Sequence, residues 1–380
     1  MAVIQFITRR LAVAAYFAAV LLPVVLFGYD GRWFGAAALE TRGRADLPRR
    51  LTPLNLGQLD AWFADRIGLR YPLMYLGTEF HLGAFGRTID RQISFGRDGW
   101  MFWTEDGEKV PSAMADSRGR LRFTANEIAR VEAGLLAMRE RYAACRIPFA
   151  VVLAPNKQSI YREFVMEPGA DERPSRLDAL LTALSPAARS IVVDTRETIR
   201  SAKARHAPMR VYNKTETHWN ELGAFYGYVA VMDALRRALP LSHPELTALD
   251  RYDVRMQRYA GGDMATFVLL APWRFPDEDV TVRRKAPLSL PPYERPNPRY
   301  FIARNPNERG KLLLVGDSFT NGVVPYLQQH FGELHGMIST SVDGEAVARL
   351  RPDAVLLLLV ERNLEILLSP HVNLAKTCGG

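Results

Sequence analysis

Seven apolar residues run unbroken from Ala354 to Val360, and this run constrains the fold more than any other feature of the chain. A strand with water on one face alternates apolar and polar positions. One that is apolar at every position is covered on both faces, as in a parallel sheet between two helix layers. The residues before it repeat the theme. Leu312-Leu313-Leu314-Val315 reads as a strand, 320–331 as a helix, 334–339 as a second strand and 345–351 as a second helix. Further upstream, Thr124 and Glu127 form a capping box. Ile128, Val131, Leu135, Met138 and Tyr142 then recur at alternating spacings of three and four, which predicts an amphipathic helix. Pro148 opens an apolar strand, Phe149 to Ala154, and another helix precedes the short strand Ile191-Val192-Val193. Asn220 is placed to cap a helix carrying Leu222, Phe225, Tyr226, Val229 and Met232. Strands alternating with helices imply right-handed crossovers and an α/β fold: a doubly wound, mainly parallel sheet flanked by helices.

The flanking segments are less regular. Leu54 to Leu76 reads as helical, and residues 91–103 as a hairpin turning at Asp98-Gly99. Residues from about 240 to 300 are rich in Pro and Arg and read as an irregular excursion over the surface. Arg274, Arg283 and Arg284 there form a solvated face, with a grip on an acidic glycan as the alternative. Residues 11–27 carry no charge and follow Arg9-Arg10. Seventeen apolar residues stand at the lower edge of what crosses a bilayer as a helix, and the arginine pair would stay cytoplasmic. This predicts an uncleaved, single-pass inner-membrane anchor with the rest of the chain in the periplasm. A cleaved signal peptide, processed near Ala36-Ala37-Ala38, is the alternative.

Composition excludes several classes. Hydrophobic residues make up 48% of the 380 and charged ones 24%, ordinary globular usage that rules out a disordered tail, a collagen-like repeat and a multi-span membrane protein. The net charge of +8 comes almost entirely from arginine, half of it lies in residues 1–50 and the rest is dispersed. It forms no clustered stripe of the kind that phosphate-backbone binding needs. Cys145 and Cys378 lie far apart with no CxxC spacing, so neither a disulfide framework nor a zinc site is expected. Cys145 reads as a small hydrophobe on its helix, a single bridge being the alternative. His330 and His335 read as a helix end and its exit with no carboxylate at ligand spacing, so no metal is expected.

Ligands of doubly wound sheets bind beyond the carboxyl ends of the strands. Those ends read Gly316-Asp317-Ser318, Glu361-Arg362-Asn363, Pro155-Asn156-Lys157 and Asp194-Thr195. Ser318 falls where a strand turns into a helix, which exposes its hydroxyl and offers free N–H groups to an oxyanion. A serine needs a base, itself oriented by a third group. His218, in Lys214-Thr215-Glu216-Thr217-His218-Trp219, is the candidate. In an extended segment residues two apart share a side, so Glu216 would accept from one ring nitrogen while the other faces Ser318. Asp317, Arg362 and Lys157 are candidate substrate-binding residues. The competing readings are a Gly-Asp-Ser loop with no catalytic role, a histidine simply packed beside Trp219, and a solvated Lys157.

GDSF at 316–319 after LLLV, THWN at 217–220, ADRIGLR at 64–70, FGRDGWMFW at 95–103 and VVLAPNKQSIY at 151–161 together resemble the alginate O-acetyltransferase family of AlgJ/AlgX type, circularly permuted relatives of the SGNH esterases. The resemblance spans roughly residues 50–370. SGNH esterases run GDS, a glycine after the next strand, a PD-plus-apolar strand ending in asparagine, and last Asp and His. Here Gly316-Asp317-Ser318 is followed by Gly344 and by RPDAVLLLLVERN ending at Asn363, while Glu216 and His218 precede them all. The resemblance implies Ser318 as nucleophile, His218 as base, and the Ser318 N–H, Gly344 and Asn363 as oxyanion donors. Glu216 stands where the family usually has aspartate (ETHW for DTHW), with Asp194 as the alternative acid. The implied activity is transfer of an acetyl group through a serine acyl-enzyme to a hydroxyl of an exported polysaccharide. No cofactor is implied, and a membrane-bound O-acyltransferase partner would supply the acetyl group. An acetyl esterase of the same fold and an inactive scaffold of a polysaccharide export complex are the alternatives. The domain reading is an anchor at 1–28, a helical and hairpin lead-in at 29–115 packing on the core, and an SGNH-like catalytic domain at 116–380.

Overall fold

The computed structural model describes residues 2–29, 44–49, 56–86, 92–104, 113–166, 174–237, 239, 244–269, 271–342 and 344–368. The chain divides into two units, 1–91 with 260–275, and 92–259 with 276–380.

The larger unit carries β1 (Ile93–Phe95), β2 (Met101–Trp103), β3 (Phe149–Ala154), β4 (Val192–Asp194), β5 (Tyr252–Tyr259), β6 (Asp277–Arg284), β7 (Glu294–Asn297), β8 (Tyr300–Arg304), β9 (Lys311–Gly316), β10 (Glu333–Ile338) and β11 (Ala354–Val360). Seven of them form one sheet in the order β4-β3-β11-β9-β10-β8-β7. From β4 to β10 every neighbouring pair is parallel, whereas β8 runs antiparallel to β10 and β7 antiparallel to β8. The sheet is therefore mixed. The outermost strand of its antiparallel edge, β7, and the separate β5–β6 ribbon come from the 240–300 stretch expected to be irregular, and β8 follows directly after it. Every residue of β7 and residues 255–258 of β5 are exposed, so hydrophobic periodicity there is weak.

Burial explains the unbroken apolar runs. Ala354, Leu356, Leu358 and Val360 of β11 join one core with Val152, Leu312 and Leu314. The intervening Val355, Leu357 and Leu359 join the opposite core with Val151, Leu153 and Leu313. Helices Glu221–Leu235 and Thr320–Leu327 cover the first face, and Ala125–Ala144 with Arg176–Ala183 the second. The Thr124–Glu127 capping box forms as expected. Cys145, at the end of that helix, is disulfide-bonded and so is not the free, packed thiol expected of it; Cys378 lies outside the described residues. β1 and β2 pair antiparallel around the Asp98-Gly99 turn, where both residues take positive φ, 54° and 76°.

The smaller unit contains helices Ala2–Val25, Leu56–Ala64 and Arg70–Phe85. The expected single helix through Leu76 is two, and Leu54 lies outside the described residues. At the break Leu69 takes φ 56°, and Gly68 beside it lies so close to Leu26 that a Cβ would meet the Leu26 carbonyl oxygen at 2.6 Å. Among the described residues no helix is long and apolar enough to cross a membrane. The expectation of a single-pass inner-membrane anchor at 11–27 is corrected accordingly. The uncharged helical stretch ends at Val25, with Pro23 in its last turn, short of the roughly 20 residues a spanning helix uses. Ala36–Ala38 lie outside the described residues.

Candidate active site

Parallel strands put their carboxyl ends on one edge of the sheet, so the turns after β3, β4, β11, β9 and β10 gather there. β9 ends at Gly316, and the chain passes through Asp317 and Ser318 into the helix Thr320–Leu327. Gly316 is dictated by close approach, since a Cβ would lie 2.0 Å from the Leu358 carbonyl oxygen of β11. Ser318 is exposed, and among the described residues nothing accepts from its N–H.

The segment carrying the base is not the extended strand expected. Residues 211–220 form a turn-rich loop closed by a single bridge between Tyr212 and Trp219. Asn220 locks its exit: Oδ1 accepts from the N–H groups of Leu222 and Gly223, each at 3.1 Å, while Nδ2 donates to the Arg210 carbonyl at 2.8 Å and Asn213 Oδ1 at 2.9 Å. The Trp219 ring then packs against glycines on two helices. A Cβ on Gly227 would come within 2.7 Å of it, and one on Gly322 within 2.5 Å of Nε1. Gly322 sits in the first turn after Ser318, so Trp219 draws its neighbour His218 over the serine.

The result is a proton path. His218 Nε2 lies 2.7 Å from Ser318 Oγ, and Nδ1 lies 3.0 Å from Glu216 Oε1 and 3.1 Å from Thr217 Oγ1. A carboxylate at Nδ1 favours the tautomer protonated there, which leaves Nε2 to accept from the hydroxyl. The Phe319 ring stands 4.9 Å from the imidazole, and the Arg362 guanidinium 5.6 Å from the Phe319 ring. Arg362 is half-buried.

Other candidates are placed differently. Asp194, the alternative acid, binds Arg196 through both carboxylate oxygens, at 3.0 Å and 2.8 Å, and it is Glu216 that meets His218. Asp317 is not turned to a substrate. Its Oδ1 accepts from Phe319 N–H at 3.1 Å and its Oδ2 from Val360 N–H at 2.7 Å and Asn363 Nδ2 at 2.9 Å. Lys157 is 3% exposed and points into the protein under the 211–220 loop, so it too is removed from substrate. Gly344 opens the helix Gly344–Leu350 after β10 and is buried. Arg283 pairs with Glu221, Arg284 donates to Gln329 Oε1, and Arg274 pairs with Glu79, so each has a partner within the fold. His335 does meet a carboxylate: Nε2 lies 3.0 Å from Glu333 Oε2 and Nδ1 2.6 Å from the Tyr300 hydroxyl, because alternate residues of β10 share a face.

Sequence reasoning missed the supports of the loop. The Thr215 N–H and hydroxyl donate to Asp277 Oδ2 at 2.9 Å and 3.0 Å, and Asn213 Nδ2 donates to Asp279 Oδ1 at 2.8 Å. Both acids lie on β6, where Asp277-Glu278-Asp279 interrupts an arginine-rich stretch; that local reversal of charge was the available signal. Glu361 was also missed as a single residue. Fully buried, it accepts from Asn156 N–H at 3.0 Å and Ser159 Oγ at 2.6 Å, and burial pushes its carboxyl up to about 7.

Residues 93–347 match the family model described as an SGNH hydrolase-like domain, acetyltransferase AlgX. In sequence the chain is 26% identical over 233 residues to the probable alginate O-acetylase AlgJ of Pseudomonas aeruginosa, a match covering 58% of this chain and 53% of that relative. The chain thus spans about half the length of this curated relative. In fold it is similar to Bacillus cereus PatB1, both with a sulfonyl adduct (TM-score 0.51, 14% identity) and without that adduct (0.50, 15%); each covers 72% of this chain and 96% of the other. With the family match extending over more than half of its residues, the chain belongs to the SGNH hydrolase-like acetyltransferase family of AlgX type.

Proposed function

We propose that this protein is an O-acetyltransferase that carries an acetyl group on Ser318 and delivers it to a hydroxyl of a polysaccharide. The observation that carries the reading is the 2.7 Å approach of His218 Nε2 to Ser318 Oγ with Glu216 on the other ring nitrogen. In the first half-reaction Ser318 Oγ attacks the acetyl carbonyl while His218 accepts its proton. The donor's leaving group takes that proton, and an acetyl-serine ester remains. In the second, a sugar hydroxyl gives its proton to His218 and attacks the ester. The acetyl group moves to the sugar oxygen, and Ser318 recovers the proton. Glu216 holds the ring and stabilises its protonated form in both halves.

The Ser318 N–H supplies one donor to the oxyanion of each tetrahedral intermediate, with Gly344 and Asn363 as the further candidates. Arg362, whose guanidinium stands 5.6 Å from the Phe319 ring, is the candidate contact to the substrate. The chain order Glu216, His218, Ser318, Gly344, Asn363 supports the circularly permuted form of the fold. Membership of an acetyltransferase family and the name of the Pseudomonas aeruginosa relative support acetyl transfer to a polysaccharide. The acetyl donor in this reading is a membrane-bound O-acyltransferase.

The test uses the full chain and an activated acetyl ester. Mass spectrometry of the Ser318 peptide is expected to show one added acetyl group, absent in Ser318→Ala, and added oligosaccharide is expected to become acetylated. No adduct, with hydrolysis unchanged in Ser318→Ala, removes the reading. An adduct that yields only free acetate in the presence of acceptors makes the protein an esterase.

A further inference from the structure

We infer that Lys157 is a positioning residue for this reaction, its ammonium setting the conformation of the loop that presents Glu216 and His218. The inference rests on the roles just given to Ser318 and His218.

The sequence places Lys157 at the carboxyl end of β3, at the start of a one-turn helix, Lys157–Ile160. An isolated lysine there would extend to water. This one is 3% exposed, and its Nζ donates to three main-chain carbonyls of the loop: Asn213 at 3.2 Å, Lys214 at 2.8 Å and Glu216 at 2.8 Å. The rings of Trp100 and Phe102 stand 5.6 Å and 5.5 Å from the same nitrogen. Removing an ammonium from water is costly unless its donors are satisfied, and an ammonium has three of them. Three carbonyls from four consecutive residues converge on one point only when the chain curls around it. The cation therefore dictates the turn.

The grip on Glu216 is through its main chain, while its carboxylate engages His218 Nδ1 at 3.0 Å. Lys157 thus acts two residues away from the imidazole without touching it. The floor beneath Lys157 is itself fixed: the N–H of Asn156 and the hydroxyl of Ser159, on either side of it, both donate to Glu361. A chain of contacts runs from β11 through the β3 turn to the loop and ends at the Ser318 hydroxyl.

The experiment compares Lys157→Met, Glu216→Gln and the double variant. Lys157→Met is expected to lower kcat for acetyl transfer by about 100-fold, the scale of a small misplacement of catalytic groups, with KM unchanged. In the Glu216→Gln background the same change is expected to cost less than about 3-fold, because the two residues act through one imidazole. A second readout is independent of turnover: the downfield proton resonance of His218 Nδ1–H, assigned by its loss in Glu216→Gln, is expected to vanish in Lys157→Met. Lys157→Gln, which keeps amide donors in the same space, covers the case in which the methionine variant does not fold; it is expected to lose the resonance in part. An equal cost in both backgrounds, or a folded Lys157 variant that retains both the resonance and kcat, overturns the inference. Absence of acetylation of Ser318 in the wild type would instead defeat the proposed function, while the resonance would still decide the role of Lys157.

Discussion

Asp317 Oδ2 lies 2.9 Å from Asn363 Nδ2, and this bond ties the turn that exposes Ser318 to the end of the neighbouring strand. The same oxygen accepts from Val360 N–H at 2.7 Å. Asp317→Ala leaves both donors unpaired, which is expected to cost about 1–3 kcal/mol of stability and to slow acetylation of Ser318. Urea unfolding and adduct formation measure the two effects; an unchanged midpoint together with an unchanged rate would dismiss the clamp.

Glu216 replaces the aspartate usual in the related motif, and its reach matters. Glu216→Gln removes the carboxylate from Nδ1 and is expected to lower kcat by about 10³–10⁴-fold, as in other Ser-His-acid triads. Glu216→Asp keeps the charge but shortens the side chain by one methylene, while the Glu216 carbonyl stays bound to Lys157. The loop is not free to follow, so about 100-fold is expected to be lost. Steady-state kinetics with an acetyl ester decide the matter, and an aspartate variant as fast as the wild type would show that the loop yields.

Glu361 makes stability depend on pH. Its carboxyl stands near 7 in the fold, raised from 4.5 chiefly by burial, with Arg196 opposing and Asp116 reinforcing the rise. The folded state therefore holds a proton that the unfolded chain releases near 4.5. That preference contributes fully below about pH 4.5 and is lost as pH rises through about 7. A shift of this size corresponds to about 3 kcal/mol. Chemical denaturation from pH 4.5 to 8 is expected to show the wild type losing about that much relative to Glu361→Gln; a pH-independent difference between the two would refute this linkage.

Gly322 leaves room for Trp219. A Cβ there would stand 2.5 Å from the indole Nε1 and 2.9 Å from the Ala224 Cβ. Gly322→Ala is expected to destabilise the fold by about 1–3 kcal/mol, the usual cost of overpacking. The displaced indole should also carry His218 away from Ser318, so activity should fall by more than the fraction unfolded accounts for. Thermal unfolding and acetylation rate, measured on the same sample, separate the two.

The parts of this protein legible in its sequence are those set by short-range rules. The strands β3, β9 and β11 follow from apolar runs, the helix Ala125–Ala144 from its spacing and the Thr124–Glu127 box, and the turn of the β1–β2 hairpin from Asp98-Gly99. Ser318 and His218 stood out as site candidates because one follows a buried strand and the other has a carboxylate two residues away. The proximity of the pair was an expectation only. The antiparallel edge formed by β7 and β8 left little periodic trace, and Gly68 packs against Leu26, forty-two residues earlier.

Sequence by itself determined that a parallel sheet is covered on two faces and that reactive side chains crowd the ends of its strands, because backbone preference and the period of apolar residues act over a few neighbours. Tertiary structure alone decided that Lys157 and Asp317 hold the scaffold and that His218 reaches the Ser318 hydroxyl, one hundred residues along the chain. A polar side chain takes whichever partner comes within about 3 Å, and residues far apart in the chain reach that distance only once the whole core has packed.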